Sequence, residues 1–93
     1  MGEANGRIVM YKIYVLRSLK DDNFYIGCTS NLSKRIKEHK NKKVFSTKNR
    51  LPFKLIFSED YKDKYEAYEM ERFYKTAKGK RILKNKIRNC GVV

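Results

Sequence analysis

The sequence has few of the residues on which disulfide-rich domains, zinc modules and membrane proteins depend. It contains two cysteines, Cys28 and Cys90, one histidine and no Cys-X-X-Cys motif. A structural zinc site takes four cysteine or histidine ligands, so none is expected. No apolar run approaches the roughly 18 residues of a membrane-spanning helix. The first nine residues do not resemble a secretory signal, so reduced thiols and a cytoplasmic protein are favoured over a disulfide between the two cysteines.

Acidic residues are also scarce, since 10 Asp and Glu face 23 Lys and Arg, for a net charge of +13. Nine basic residues lie between Lys34 and Lys54 with Glu38 as the single acid, and eight more follow from Arg72 onward with none. Lysines can serve solubility alone, but that rarely requires so uneven a balance. A nucleic-acid partner is therefore expected. The candidate phosphate contacts are Lys34, Lys48, Arg50, Lys75, Lys80 and Arg81.

A chain of 93 residues with 41% apolar content predicts one small globular domain. We expect a flexible N-terminal extension over residues 1–9, the domain over 10–88 and a tail over 89–93. The residue pattern predicts a first strand over Ile8–Leu16 that is buried on both faces and a second strand over Phe24–Cys28. A polar turn is expected to join the two strands as an antiparallel hairpin.

Helical patterns follow the hairpin. A helix is predicted over Leu32–Lys40, with Thr29, Ser30 or Asn31 as its N-cap. A basic loop over 41–51 follows, which we expect to stay mobile until it meets a ligand. It leads to a third strand over Phe53–Ser58. A second helix is predicted next, because Asp63 and Glu66 have the spacing of a capping box and an apolar stripe with helical spacing follows them. Gly79 should end this helix. Ile82, Leu83 and Ile87 support a short basic final helix. The order β-β-α-β-α-α predicts an α+β fold with helices on a small three-stranded antiparallel or mixed sheet.

Tyr14 and Tyr25 are the first candidate catalytic residues, because the hairpin would bring them side by side. Taken alone they are strand core with hydroxyls at the sheet edge. A phenol has a pKa near 10 and is a poor base unless cations or a metal lower that pKa, and the surplus of basic residues predicts such an environment. Gly27 is where a phosphate would approach the backbone of the strand closely.

Arg35, His39 and Glu71 complete the candidate set. Arg35 and His39 share one helix face at i,i+4 spacing, either as part of a solvated basic face or as a phosphate-gripping guanidinium and a proton-transfer imidazole. Glu71 lies at the border of an apolar stripe, beside the sheet, and either pairs with Lys75 or binds a divalent metal.

Together these residues resemble the GIY-YIG endonuclease superfamily. Tyr25-Ile26-Gly27 matches its second signature, and Lys12-Ile13-Tyr14 stands where the first, Gly-Ile-Tyr, belongs. The run from Thr29 to His39 resembles the family's first helix, and that from Glu66 to Thr76 resembles its metal helix. The resemblance covers about Tyr11–Ile87 and is closest to the short stand-alone bacterial members and to the N-terminal nuclease domain of the DNA-repair excinuclease.

The resemblance implies roles for these residues. Either tyrosine activates water, Arg35 stabilises charge on the phosphate, His39 assists proton transfer, and Glu71 binds one Mg²⁺ or Mn²⁺. Three positions depart from the pattern: Lys12 replaces the signature glycine, Cys28 stands where the excinuclease domain has lysine, and Leu83 stands where it has asparagine.

Three functions remain open from the sequence. The first is a metal-dependent endonuclease that cuts branched, flapped or damaged DNA in repair or recombination. It would work alone or with a protein partner, and no membrane role is expected. The second is a non-catalytic nucleic-acid-binding module on the same scaffold. The third is a ribosome-associated RNA-binding protein, which rests on size and charge alone.

Overall fold

In the part of the chain that the structure describes, three strands and three helices follow one another in the order β-β-α-β-α-α, which confirms the predicted α+β arrangement. The structure is a computed structural model and describes residues 9–41 and 51–89. The predictions made for residues 1–8, 42–50 and 90–93 lie outside the described residues. The elements are β1 Tyr11–Ser18, β2 Phe24–Thr29, α1 Leu32–Lys40, β3 Phe53–Tyr61, α2 Lys64–Tyr74 and α3 Ala77–Asn89.

β1 is the central strand of an antiparallel sheet with the order β2-β1-β3. Four consecutive residues of β1, from Ile13 to Leu16, are buried, as predicted for a strand that is covered on both faces. Side chains alternate between the two faces of a strand. Ile13 and Val15 contact the core formed with α2 and α3, and we call this side the α3 face. Tyr14 and Leu16 point to the opposite side, which α1 covers and which we call the α1 face.

The hydrophobic core lies on the α3 face. Tyr74 of α2 and Leu83 of α3 pack there against Ile13, Val15 and Ile26, and all five side chains are buried. This packing explains why Leu83 departs from the asparagine of the excinuclease domain: its side chain is 1% exposed and belongs to the core.

Apart from β2, which continues by one residue to Thr29 instead of ending at Cys28, the strand boundaries differ from the predicted ones at three ends. β1 begins at Tyr11 instead of Ile8, and it continues through Ser18 instead of ending at Leu16. β3 continues to Tyr61 instead of ending at Ser58. Pairing explains both extensions, because Tyr11 pairs with Tyr61 and Ser18 with Phe53 on the neighbouring strand. A propensity pattern within one segment cannot register such a partner.

The caps of the first two helices agree with the sequence. The side chain of Asn31 accepts a hydrogen bond from Lys34 N at 3.2 Å, and Asp63 accepts one from Tyr65 N at 3.1 Å. The predicted end of the second helix at Gly79 is wrong, because α2 ends at Tyr74 and Gly79 lies in the first turn of α3. A Cβ on Gly79 would lie 2.9 Å from Tyr74 Cα, so glycine is needed for the close approach of the two helices.

In the described parts of the chain, no helix has the length and apolar character needed to cross a bilayer.

Candidate active site

Tyr14 is the buried centre of a group of polar side chains on the α1 face. Only 1% of its surface is exposed, and its register partner on β2 is Gly27. Tyr25 is the diagonal neighbour on the same face, since it pairs with Leu16, and the two phenol ring centroids lie 6.2 Å apart. The hairpin therefore brings the two tyrosines together, as predicted.

α1 delivers two further side chains to the Tyr14 hydroxyl. His39 Nε2 lies 3.0 Å from Tyr14 Oη, and Arg35 Nε donates to the same oxygen over a longer distance of 3.4 Å. The His39 ring also contacts the Tyr25 ring edge-on, with 5.0 Å between centroids. The i,i+4 spacing on one helix face produces this convergence, so Arg35 and His39 are not a purely solvated basic pair.

Burial sets the charge states of this group. It raises the pKa of Tyr14 to about 12, although the hydrogen bond from Arg35 acts in the opposite direction. The expectation that the basic surroundings lower the pKa of the phenols is therefore wrong for Tyr14, because the cost of desolvating a phenolate exceeds the help from Arg35. Burial, and then the positive charge of Arg35, lowers the pKa of His39 below 6.5. At neutral pH His39 is thus uncharged, and its Nε2 can accept the Tyr14 proton.

Arg35 is held from a second side by a residue that the sequence analysis did not single out. Its Nη1 lies 2.9 Å from Glu38 Oε1, and the hydrogen bonds to Tyr14 and Glu38 together raise the pKa of the guanidinium further. Glu38 thus orients the Arg35 guanidinium and occupies its Nη1 as a hydrogen-bond partner. The i,i+3 spacing of the two residues on α1 was the available signal.

Gly27 has a different structural role from the predicted one. A Cβ at this position would lie 2.5 Å from Tyr14 Cζ and 2.8 Å from Cε1, far inside van der Waals contact. The side-chain space above Gly27 is thus filled by the Tyr14 ring and is not open to a phosphate. Gly27 allows Tyr14 to lie across β2, where its hydroxyl reaches His39 and Arg35.

Glu71 lies beside the sheet, as expected, with 20% of its side chain exposed. It is close enough to Cys28 of β2 that its charge, after burial of the thiol, contributes to raising the pKa of Cys28. Tyr68, one turn earlier on α2, lines one groove with Glu71 and a second groove of about 350 Å³ with Arg35 and Cys28. The Lys75 Nζ lies 3.4 Å from Glu71 Oε2, so the predicted ion pair is also present.

The donor set around Glu71 fits one hard divalent cation. Within residues 9–41 and 51–89, no three His, Cys, Asp or Glu side chains cluster as metal ligands, which disfavours a site built from protein ligands alone. Mg²⁺ keeps several waters and commonly takes only one or two carboxylates from a protein. A single, partly exposed carboxylate meets that requirement, whereas it does not meet the ligand count of zinc.

The predicted phosphate contacts lie in different parts of the chain. Lys34 is exposed on α1 and lines the groove of Arg35. Lys75 pairs with Glu71, and Lys80 and Arg81 are exposed on α3, across the sheet from α1. The remaining two, Lys48 and Arg50, lie outside the described residues.

A second polar cluster that the sequence analysis missed lies at the end of β3. Glu59 Oε1 accepts hydrogen bonds from Tyr61 at 2.8 Å and Tyr74 at 2.7 Å, and Lys86 Nζ lies 2.9 Å from Glu59 Oε2. Burial opposes ionisation of Glu59, but these three donors outweigh it and lower its pKa. The cluster ties β3 to α2 and α3. Only the tertiary fold brings these positions together.

Comparison with known proteins agrees with this geometry. Residues 10–87 match the family model described as the GIY-YIG catalytic domain. The chain is 39% identical to the UPF0213 protein YazA of Bacillus subtilis, over 82% of this chain and 79% of that protein. It is 38% identical to a UPF0213 protein of Limosilactobacillus reuteri, over 70% of each.

A solved structure supports the same assignment. The solution NMR structure of the UPF0213 protein BH0048 from Bacillus halodurans has 30% sequence identity and a TM-score of 0.52, covering 82% of this chain and 83% of that one. In this chain the Tyr-Ile-Gly segment lies on β2, beside β1. The chain belongs to the GIY-YIG family, which forms a nuclease superfamily.

Proposed function

We propose that the protein is a metal-dependent endonuclease that hydrolyses phosphodiester bonds in DNA. The observation that carries the proposal is the placement of the Tyr14 hydroxyl between His39 Nε2 at 3.0 Å and Arg35 Nε at 3.4 Å. A phenol joined to a neutral imidazole on one side and a fixed cation on the other can move a proton next to a phosphate. A tyrosine that only fills the core requires neither partner.

Arg35 is the phosphate-binding group of this proposal. Its guanidinium is planar and always charged, and it borders an open groove that Lys34 also lines. An incoming phosphate would compete with Glu38 for Nη1 or bind at the opposite edge of the guanidinium. In either case Arg35 stabilises the negative charge that develops on the phosphate during hydrolysis.

The two tyrosines divide the proton chemistry. Tyr14 is buried, and its pKa of about 12 keeps it protonated, so it does not act as a free phenolate base. Tyr25 is only partly buried and interacts electrostatically with both Tyr14 and Arg35. We assign to Tyr25 the contact with the attacking water. Tyr14 relays the proton that this water releases, because its oxygen takes up that proton as its own hydroxyl proton passes to His39 Nε2, and no free phenolate forms.

Glu71 is the residue that would hold Mg²⁺ or Mn²⁺. When bound, such an ion supplies positive charge for the anionic groups of the substrate. Lys75 is part of this site because its ammonium group neutralises the same carboxylate. Metal binding at Glu71 therefore competes with this ion pair.

The substrate class follows from the charge of the chain. A net charge of +13 favours binding to the phosphate backbone over reading of base sequence. We therefore propose selection by DNA structure, as in repair or recombination, by a cytoplasmic protein. A protein partner that supplies further selectivity is compatible with a domain of this size.

A second candidate function is a nucleic-acid-binding module that does not cut. The observation in its favour is that Glu71 is already paired with Lys75 and belongs to no cluster of three potential metal ligands in the described residues. Such a module would keep the basic surfaces and bind DNA in a salt-dependent way.

Cleavage assays on a panel of end-labelled duplex, fork, flap and single-stranded DNA, with Mg²⁺ or Mn²⁺, separate the two functions. We expect the wild-type chain to nick at least one substrate and Arg35→Ala to lose at least about 100-fold in rate, in line with removal of one electrostatic stabiliser. Lys62→Ala, at an exposed site before α2, is the control and should cut normally. DNA binding without cutting under either metal would refute the endonuclease in favour of the binding module.

A further inference from the structure

α3 presents an unusual concentration of positive charge. Over its 13 residues it carries six basic side chains and no acidic one. The basic residues of α3 are Lys78, Lys80, Arg81, Lys84, Lys86 and Arg88. The proposed chemistry on the α1 face uses none of them.

The helix turns most of this charge away from the protein. Leu83 is buried in the core, and Ile87 packs against the same core. Arg81, Lys84 and Arg88 follow one another at i, i+3 and i+7 and are exposed. Arg81 and Arg88 lie on the side of the helix opposite the core, and Lys84 lies between them, toward β2. We call these three residues the outward row. At 1.5 Å per residue the row extends over about 10 Å.

Within residues 9–41 and 51–89, the acids that lie near the outward row pair with other cations. Glu59 pairs with Lys86, which is not in the row, and Asp22 near the start of β2 pairs with Arg17 at 3.0 Å. Lys84 lies 6.0 Å from the centroid of the Phe24 ring, a contact that leaves its charge intact. In the described part of the chain, no acid forms an ion pair with any member of the row.

The row is separated from the site around Arg35 by the sheet. α1 packs on the face of Tyr14, whereas Leu83 of α3 packs on the face of Ile13 and Val15. With layers spaced at about 10 Å, the axes of the two helices lie about 20 Å apart. Because Arg81 and Arg88 point away from the sheet, a straight duplex bound against Arg35 on the α1 face does not reach them.

We propose that the outward row is a second phosphate-binding surface, which holds one duplex segment of nucleic acid while another segment occupies the site around Arg35. That the second surface serves a nuclease rests on the proposed function. Phosphates of one DNA strand recur about every 3.4 Å along the axis, so a row of about 10 Å faces roughly three of them. An anionic membrane is the less suitable partner, because a membrane-bound helix also inserts apolar side chains, and Leu83 and Ile87 of α3 are committed to the core.

The test counts the duplexes bound by one protein chain. The full chain is titrated at low salt, in the presence of EDTA, with a duplex of about one helical turn, and the stoichiometry is read by native mass spectrometry. We expect two duplexes per wild-type chain and one per chain for Arg81→Gln/Arg88→Gln. Lys62→Gln/Lys64→Gln removes the same charge from exposed positions elsewhere and should still bind two. Circular dichroism checks that both variants are folded.

A count of one for the wild-type chain, or of two for Arg81→Gln/Arg88→Gln, would overturn the inference. A second contrary result is a count of one for a wild-type chain that binds vesicles containing phosphatidylserine, when Arg81→Gln/Arg88→Gln does not bind them. The row would then be a membrane surface. Because EDTA excludes cleavage, the count is independent of the proposed function. Two bound duplexes without any metal-dependent cutting would refute the endonuclease and leave the second surface in place.

Discussion

Replacing Gly27 with alanine tests whether the glycine of the Tyr-Ile-Gly motif acts by making room for Tyr14. The new Cβ would lie 2.5 Å from Tyr14 Cζ, whereas carbon atoms at their best separation are about 3.5–4.0 Å apart. The phenol ring must therefore retreat by about 1 Å. That shift breaks or lengthens the hydrogen bond to His39, which is 3.0 Å in the native arrangement.

Both stability and activity should fall in Gly27→Ala. Overpacking of a well-packed site costs about 1–3 kcal/mol in the free energy of unfolding. At about 4–8 °C per kcal/mol for a domain of this size, Tm should fall by roughly 5–20 °C. A displacement of about 1 Å in a catalytic group can reduce the rate about 100-fold. Thermal unfolding and single-turnover nicking of labelled DNA measure the two effects.

A shorter side chain at position 14 provides the decisive comparison. In a Tyr14→Leu background the alanine at position 27 meets no phenol ring, so Gly27→Ala should cost less than about 0.5 kcal/mol there. Cys28→Ala, the next residue on β2, is the control and should leave the phenol in place. If Gly27→Ala destabilises both backgrounds equally, or leaves Tm and rate unchanged in the wild-type chain, the packing argument for Gly27 is wrong.

Three further predictions concern charge. Because burial and the charge of Arg35 lower the pKa of His39, cleavage should stay level from about pH 8 to neutral pH and fall as the pH drops through that lowered pKa; a rate that increases toward acid pH would contradict the neutral imidazole. Glu59→Gln should lower the free energy of unfolding at neutral pH by about 2 kcal/mol, since three donors meet this carboxylate, whereas Asp60→Asn should cost less than about 1 kcal/mol because its ion pair is exposed. The lowered pKa of Glu59 means that its contribution is present above pH 4.5 and is lost as the pH falls through the folded-state pKa, so the difference in Tm between wild type and Glu59→Gln should shrink in acid. Lys75→Gln removes the ammonium group 3.4 Å from Glu71 and should lower the metal concentration for half-maximal cleavage by up to about fivefold; an increase would show that Lys75 assists the metal site.

Local signals in the sequence are sufficient for the elements that depend on local rules. Asn31 and Asp63 begin their helices through side-chain caps, and the apolar run in β1 predicts a strand buried on both faces. The i,i+4 spacing of Arg35 and His39 correctly predicts that their side chains lie on the same face of α1. Position along a helix also places Glu71 beside the sheet.

Features that depend on tertiary contacts are not predictable in this way. Gly79 has the signature of a helix end, but it permits a close crossing with the end of α2. The strand pattern indicates an opening for phosphate at Gly27, although the phenol ring of Tyr14 fills that space. The direction of the pKa shift of Tyr14 depends on burial, which outweighs the positive charges that composition reveals.

The metal-dependent rate of a Glu71→Gln variant tests the endonuclease most directly. Under single-turnover conditions with Mg²⁺ or Mn²⁺, we expect the wild-type chain to nick its preferred DNA and Glu71→Gln to lose at least about 100-fold, with DNA binding in EDTA unchanged. Glu66→Gln changes an exposed carboxylate in the first turn of the same helix and should retain the wild-type rate. Equal cleavage by Glu71→Gln and the wild-type chain, or cleavage that persists in EDTA, would contradict the assignment of Glu71 and of the metal.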